Sequence, residues 1–339
     1  MNLRLPAIAT GALVLIALAA CAPTEAAVPE ASGTDAGTGT DAGTGTTYPL
    51  TVDNCGEEVV FDAAPERVAL LETAPVTILD GLGVLDRVVA RAGTFDPDYY
   101  DDELSSRIDA IPALSEDIDA AGHLTMSAEI VVAQQADVAL GLPEGVTRES
   151  LRDAGTNTLI QPVYCPSGVG DASFETLYDQ VSTYGRIFDR TAQAESLAAE
   201  LRARVTAVET TTADASGRTA AVLYPSVGGG PLYAYGRASM AQPQLEAAGF
   251  ENVFADAADR VFEVSIEELI DRDPDVLILL YQGDEAGVRG AVDDLPGSGA
   301  LRALQGEQVL IQLFNFTEPP SPLAVTGLER IVERFGTGS

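Results

Sequence analysis

Two stretches, one in each half of the chain, repeat a single pattern, and this internal echo restricts the possible folds more than any other feature. The first runs Ser127-Ala128-Glu129-Ile130-Val131-Val132 and on to Asp137-Val138; the second runs Ser265-Ile266-Glu267-Glu268-Leu269-Ile270 and on to Asp275-Val276. In each, Ser is placed to cap a helix, Glu falls in the first turn where it complements the helix dipole, and Asp closes the helix before an apolar strand. A unit used twice predicts two similarly built lobes.

The rest of the chain from Tyr48 agrees with an α/β class. Val59-Val60-Phe61, Arg67-Val68-Ala69-Leu70-Leu71 and Val88-Val89-Ala90 read as strands, with a helix over 75–82 between the last two. In the second half Ala220-Ala221-Val222-Leu223-Tyr224, 276–281 and 309–313 read as strands, 242–248 as a helix stopped by Gly249, and 322–335 as the closing helix. Strands alternating with helices predict largely parallel sheets, and ligands bind at the carboxyl ends of such strands. Between the halves, Thr191 to Thr212 carries Ala194, Leu197, Ala198, Leu201, Val205 and Val208 at helical spacing with no Gly or Pro. About 22 helical residues make a rod of roughly 33 Å, which can either bridge two lobes or lie along one domain.

At the N-terminus, Arg4 and the apolar run 12–18 precede Ala19-Ala20-Cys21, an export signal with a small-residue cleavage site. Leu18-Ala19-Ala20-Cys21 resembles the bacterial lipobox, which implies lipid attachment at Cys21 and a membrane anchor. Residues 22–47, rich in Thr, Gly, Ala and Asp with the near-repeat Thr34-Asp35-Ala36-Gly37-Thr38-Gly39, lack the large apolar residues a core needs and read as a flexible tether. The formal charge is −33 with Arg as the sole basic side chain type, so the basic footprint that nucleic acids require is missing. With Cys21 assigned to lipid, Cys55 and Cys165 form an even pair in an oxidising setting, and a disulfide between them is the simplest assignment.

From Tyr48 to Phe335 the chain resembles the class III solute-binding proteins that deliver ferric siderophores, haem and cobalamin to ABC importers. The resemblance is carried by the order and spacing of Pro65-Glu66-Arg67-Val68, Leu82-Gly83-Val84-Leu85-Asp86-Arg87-Val88-Val89, the two Ser-x-Glu helices, and Leu245-Glu246-Ala247-Ala248-Gly249-Phe250-Glu251-Asn252-Val253. The opening Tyr48-Pro49-Leu50-Thr51-Val52-Asp53-Asn54-Cys55-Gly56 is similar to the siderophore-binding branch. The resemblance implies two sheet-containing lobes joined by one long helix, with the ligand cleft between them and only modest hinge closure. It divides the chain into a signal (1–21), a tether (22–47), an N-terminal lobe (48–190), a connecting helix (191–213) and a C-terminal lobe (214–335). It also implies that Glu129 and Glu267, one on each lobe, dock on Arg residues of an ABC permease dimer. The protein is then expected to be a lipid-anchored extracytoplasmic monomer.

The loops expected at the cleft are 72–73, 91–100, 141–143, 226–240, 281–282 and 314–320. They supply Arg91, Tyr233, Tyr235, Arg237, Tyr281 and Phe316 as candidate ligand contacts, with Arg237 foremost. Guanidinium forks pair with chelate oxygens and aromatic rings offer flat apolar walls, an inventory suited to a bulky, partly aromatic anion. Zinc or manganese capture is disfavoured because His123 is the single imidazole, and no resident cofactor is implied. The expected ligand order is ferric siderophore, then haem or cobalamin, then bare iron. No Gly-x-Ser-x-Gly elbow, His-rich metal motif or nucleotide fingerprint occurs, so a binding protein is expected rather than an enzyme. A surface sensor or ligand store without transport stays open at this point.

Overall fold

The computed structural model describes residues 45–115, 124–166, 168, 170–212 and 217–336. Cys21, the tether up to residue 44 and His123 lie outside the described residues. Both lobes belong to one compact unit that starts at Thr44.

The N-terminal lobe opens on a hairpin of β1 (Leu50–Asn54) and β2 (Glu57–Phe61), joined by Cys55-Gly56. Both turn residues have positive φ, 63° and 79°, which matches the right-handed twist of the two strands. A five-stranded parallel sheet follows: β3 (Val68–Leu70), β4 (Val88–Ala92), β5 (Ala113–Ser115), β6 (Val138–Leu140) and β7 (Asn157–Leu159), in the order β5-β4-β3-β6-β7. Every residue of β3 and β6 is buried, as expected of central strands covered on both faces. Arg148 fixes the hairpin to the sheet by donating to the Thr158 carbonyl at 2.9 Å and the Asn54 carbonyl at 3.1 Å, and Cys55 is disulfide-bonded to Cys165.

The C-terminal lobe holds β8 (Arg218–Pro225), β9 (Leu232–Tyr235), β10 (Phe250–Asn252), β11 (Val261–Val264), β12 (Val276–Tyr281) and β13 (Val309–Leu313), in the order β11-β9-β8-β12-β13 with β10 also on β8. Here the structure corrects the sequence reading in one respect. Residues 226–240 are expected to be a loop, yet Leu232–Tyr235 is a strand antiparallel to β8. Gly228, Gly229 and Gly230 all have positive φ and reverse the chain, after which Leu-Tyr-Ala-Tyr pairs back onto the strand it left.

The echo has a structural cause. Asp137 accepts from the backbone N–H of Glu66 and Arg67 at 2.8 Å, just ahead of β3, and Asp275 accepts from the N–H of Thr219 at 2.9 Å, at the start of β8. In each lobe the Asp just ahead of the second strand, past the end of the helix, therefore sets the register of the central strand pair, β3 with β6 or β8 with β12. Ser265 caps its helix by accepting from Glu268 N–H at 3.1 Å, whereas Ser127 makes no side-chain cap and its hydroxyl engages Glu129.

The helix Thr191–Thr212 buries Ala194, Ala198, Leu201, Val205 and Val208 along one face. On the N-terminal side it crosses the helix Phe174–Ile187 so closely that a Cβ at Gly185 would overlap Ala194. Toward the other lobe, Arg204 forks onto both carboxylate oxygens of Glu329 at 2.9 and 2.7 Å, on the C-terminal helix Pro322–Phe335. The one helix is thus packed on elements of both lobes.

Candidate functional site

The two lobes meet where the carboxyl ends of β3 and β13 face each other. Thr73, just past β3, accepts from the Asn315 side-chain amide at 2.6 Å, and the Asn315 N–H donates to the Tyr99 hydroxyl at 2.8 Å. Beside this seam the Tyr99 ring stands edge-on to Phe316 at 5.1 Å, and Tyr100, Tyr281, Leu313 and Leu323 complete an aromatic and apolar wall built from both lobes. The wall is held from behind: a Cβ at Gly327 would overlap the Phe316 carbonyl, and Gln244 donates to that carbonyl at 2.7 Å. Burial pushes the Tyr281 hydroxyl up to about 12, with nearby Glu285 adding to the shift, so it remains protonated at physiological pH.

One turn further along, residue 318 supplies a buried anion. Glu318 is fully buried; Oε1 accepts from Met240 N–H at 2.6 Å and Oε2 from Arg260 Nη1 at 3.3 Å. Burial raises the Glu318 carboxyl, while Arg260 and the Met240 N–H oppose that shift, and with both oxygens accepting we read it as a carboxylate. Burial lowers the Arg260 guanidinium, but Glu318, Tyr164 and Tyr235 more than offset this and keep it cationic. The guanidinium lies 5.2 Å from the centre of the Tyr164 ring, in the opposite lobe. Tyr164 leaves 39% of its surface open to solvent, while burial drives its hydroxyl far above the usual range.

Glu72, just past β3 and next to Thr73, is the acidic group of the N-terminal lobe at this seam. Its Oε1 is buried and lacks a hydrogen-bond partner, and burial pushes the carboxyl up to about 8. The Glu72 charge adds to the burial that raises the hydroxyls of Tyr164 and Tyr184. The cleft therefore presents protonated tyrosines, a neutral acid at pH 7 and one fixed ion pair. Protonated hydroxyls and a neutral acid are hydrogen-bond donors, which suit oxygen acceptors. Among the described residues no three His, Cys, Asp or Glu side chains cluster to hold a metal ion.

Of the candidate contacts expected from sequence, Tyr281 and Phe316 join the aromatic wall, and Tyr235 is buried beside Glu318 and Arg260. Arg91 is 8% exposed, with its guanidinium 5.3 Å over the Phe95 ring and close to Tyr100. Tyr233 pairs across the sheet with Tyr224. Arg237 lies elsewhere on the seam: it forms an ion pair with Asp171 at 2.9 Å and donates to the Asp256 carbonyl at 3.2 Å. Glu129 and Glu267 are both exposed in the first turns of their helices, and Glu129 is held below the usual carboxylate range by its own N–H and by Ser127. Tyr164 and Arg260 were missed by sequence reasoning; the one available signal was that Tyr164 adjoins the disulfide cysteine. A separate hollow is lined by Glu175, Arg202, Glu209 and Glu246, and Arg202 there is already engaged by Glu175 and the Tyr178 ring.

The periplasmic binding protein family profile matches residues 68–310, and the chain belongs to that family. It is thus a binding protein and not an enzyme. Among solved structures, one from Saccharomonospora viridis, described as an ABC-type Fe3+-hydroxamate transport system, is 55% identical with a TM-score of 0.82, covering 86% of this chain and 100% of its own. A periplasmic binding protein from Veillonella parvula (20% identity, TM-score 0.68, 85% and 91% coverage) shares the fold. So does a periplasmic haem-binding protein from Pseudomonas aeruginosa (16% identity, TM-score 0.62, 81% and 94% coverage). No curated protein sequence matches the chain.

Proposed function

We propose that this protein is the extracytoplasmic receptor of an ABC importer and captures a ferric hydroxamate siderophore in the cleft between Tyr164 and Arg260. The observation that carries the reading is the 55% identity to the Saccharomonospora viridis protein over the whole of that chain. Charge supports it. A ferric trihydroxamate has a neutral iron centre, whereas a ferric tricatecholate is a trianion that calls for several uncompensated cations. In this cleft the Arg260 charge is met by Glu318, and burial leaves Glu72 neutral at pH 7 rather than adding a cation. Arg91, Tyr233, Tyr235, Arg237, Tyr281 and Phe316 stand as ligand contacts around that centre, Arg237 toward the outer seam. Lipid at Cys21 anchors a monomer to the outer face of the cell membrane.

Titration followed by tyrosine fluorescence tests the ligand, since the chain has no Trp. Saturable binding of a ferric trihydroxamate, at least about tenfold tighter than its iron-free form, is expected; each decade is 1.4 kcal/mol of binding free energy. Preference for a ferric tricatecholate, haem or cobalamin would reject the assignment.

Glu129 and Glu267 serve as the docking carboxylates, one per lobe, held at a fixed spacing by the linking helix. Charge reversal, Glu129→Arg or Glu267→Arg, is expected to abolish siderophore uptake in cells while ligand affinity stays within about twofold, because rim charges act on the partner and not on the cleft. Weakened ligand binding in either variant would count against docking.

A further inference from the structure

Glu72 stands at the interlobe seam, next to Thr73, with one carboxyl oxygen unanswered. It follows β3, the central strand of its sheet, and its Cβ packs so closely on Gly141 that a Cβ there would sit 2.7 Å away. Its Oε1 is buried and unpartnered. A carboxyl that holds a fold together is answered by donors, as Glu318 is by Arg260 and the Met240 N–H. Glu72 stands near enough to Tyr164 and Tyr184 for its charge to raise both hydroxyls, with Arg260, Glu318 and Tyr235 acting on Tyr164 in turn and Gln180 engaging the Tyr184 hydroxyl. An unsatisfied buried polar atom calls for a partner, and at the seam between two lobes a ligand atom can supply it.

We infer that Glu72 is a ligand-contacting, specificity-determining residue that works as a neutral carboxylic acid, donating a hydrogen bond to an oxygen of the bound ferric chelate. The inference rests on the ferric hydroxamate reading. Hydroxamate and amide carbonyl oxygens around the iron are acceptors, which an ionised Glu72 would repel and a protonated one satisfies. Burial holds the proton on Glu72 up to about pH 8, and it raises the Tyr164 and Tyr184 hydroxyls, so neither tyrosine charges below that point. Binding competence then follows the neutral fraction of Glu72: nearly complete below pH 7 and about one tenth at pH 9, because apparent affinity scales with the competent fraction.

The test uses the full chain, its Glu72→Gln variant and ferrioxamine B as probe. In ligand-free wild type, the infrared carbonyl band of a protonated carboxyl is expected at pH 7, lost at pH 9 and missing from Glu72→Gln. Wild-type affinity for ferrioxamine B is expected to fall about tenfold from pH 6.5 to 9, while that of Glu72→Gln, which keeps a donor that does not titrate, stays flat over the same range. A missing infrared band, a flat wild-type profile, or a variant that keeps the wild-type profile overturns the inference. Failure of the parent reading looks different: the band is present, yet neither protein binds ferrioxamine B at any pH, and the proposed contact falls with it.

Discussion

Arg260→Ala is expected to weaken capture of a ferric trihydroxamate by at least about 100-fold and to cost roughly 3 kcal/mol of stability, the order found when one partner of a buried ion pair is removed. Both effects follow from the position of this side chain between lobes. Its guanidinium answers a fully buried Glu318 and lies over the exposed Tyr164 ring, so truncation strands a buried carboxyl and removes the cation beside Tyr164. The two effects can be separated. Arg260→Met combined with Glu318→Leu removes both charges at similar volume, and such replacements of buried pairs are often neutral for stability. The double variant is expected to recover most of the lost stability in urea titrations and none of the lost affinity. A double variant that binds like wild type would show that Arg260 only supports the fold.

Removing the disulfide, with Cys55→Ser and Cys165→Ser together, is expected to cost about 3–5 kcal/mol, the range for a native bridge closing so long a loop. The bridge spans 110 residues, and it pins the turn of the first hairpin to the residue after Tyr164. Affinity is therefore expected to drop about tenfold as well, because the ring that faces Arg260 loses its tether. Urea midpoints with and without reductant, and ligand titrations on the same samples, check both numbers. A loss of stability with unchanged affinity would confine the bridge to folding.

Architecture was legible in the sequence because it rests on local, repeated chemistry. Asp137 and Asp275 do the same work for the same strand pair in each lobe, and that duty leaves a visible trace: Ser, Glu and Asp at matching positions. The linking helix was legible for a similar reason, since Ala194, Ala198, Leu201, Val205 and Val208 form a stripe without a breaker. The site was less legible. Glu72, Tyr164, Arg260 and Glu318 come from four separated segments, and nothing in their local sequence distinguishes Arg260 from Arg237. Both are Arg residues flanking short strands of the second lobe; only packing reveals that one is paired with a fully buried carboxylate and the other with an exposed Asp171. The strand Leu232–Tyr235 was hidden by the glycines before it, which mark a loop and equally serve as the reversal of a hairpin.

The stiff helix between the lobes has a consequence for traffic at the membrane. With both lobes packed on one continuous helix, the receptor is expected to offer the translocator nearly the same face whether vacant or occupied. Vacant copies then queue at the same berth as occupied ones, and uptake is expected to slow when cells make the receptor in large excess over its cargo.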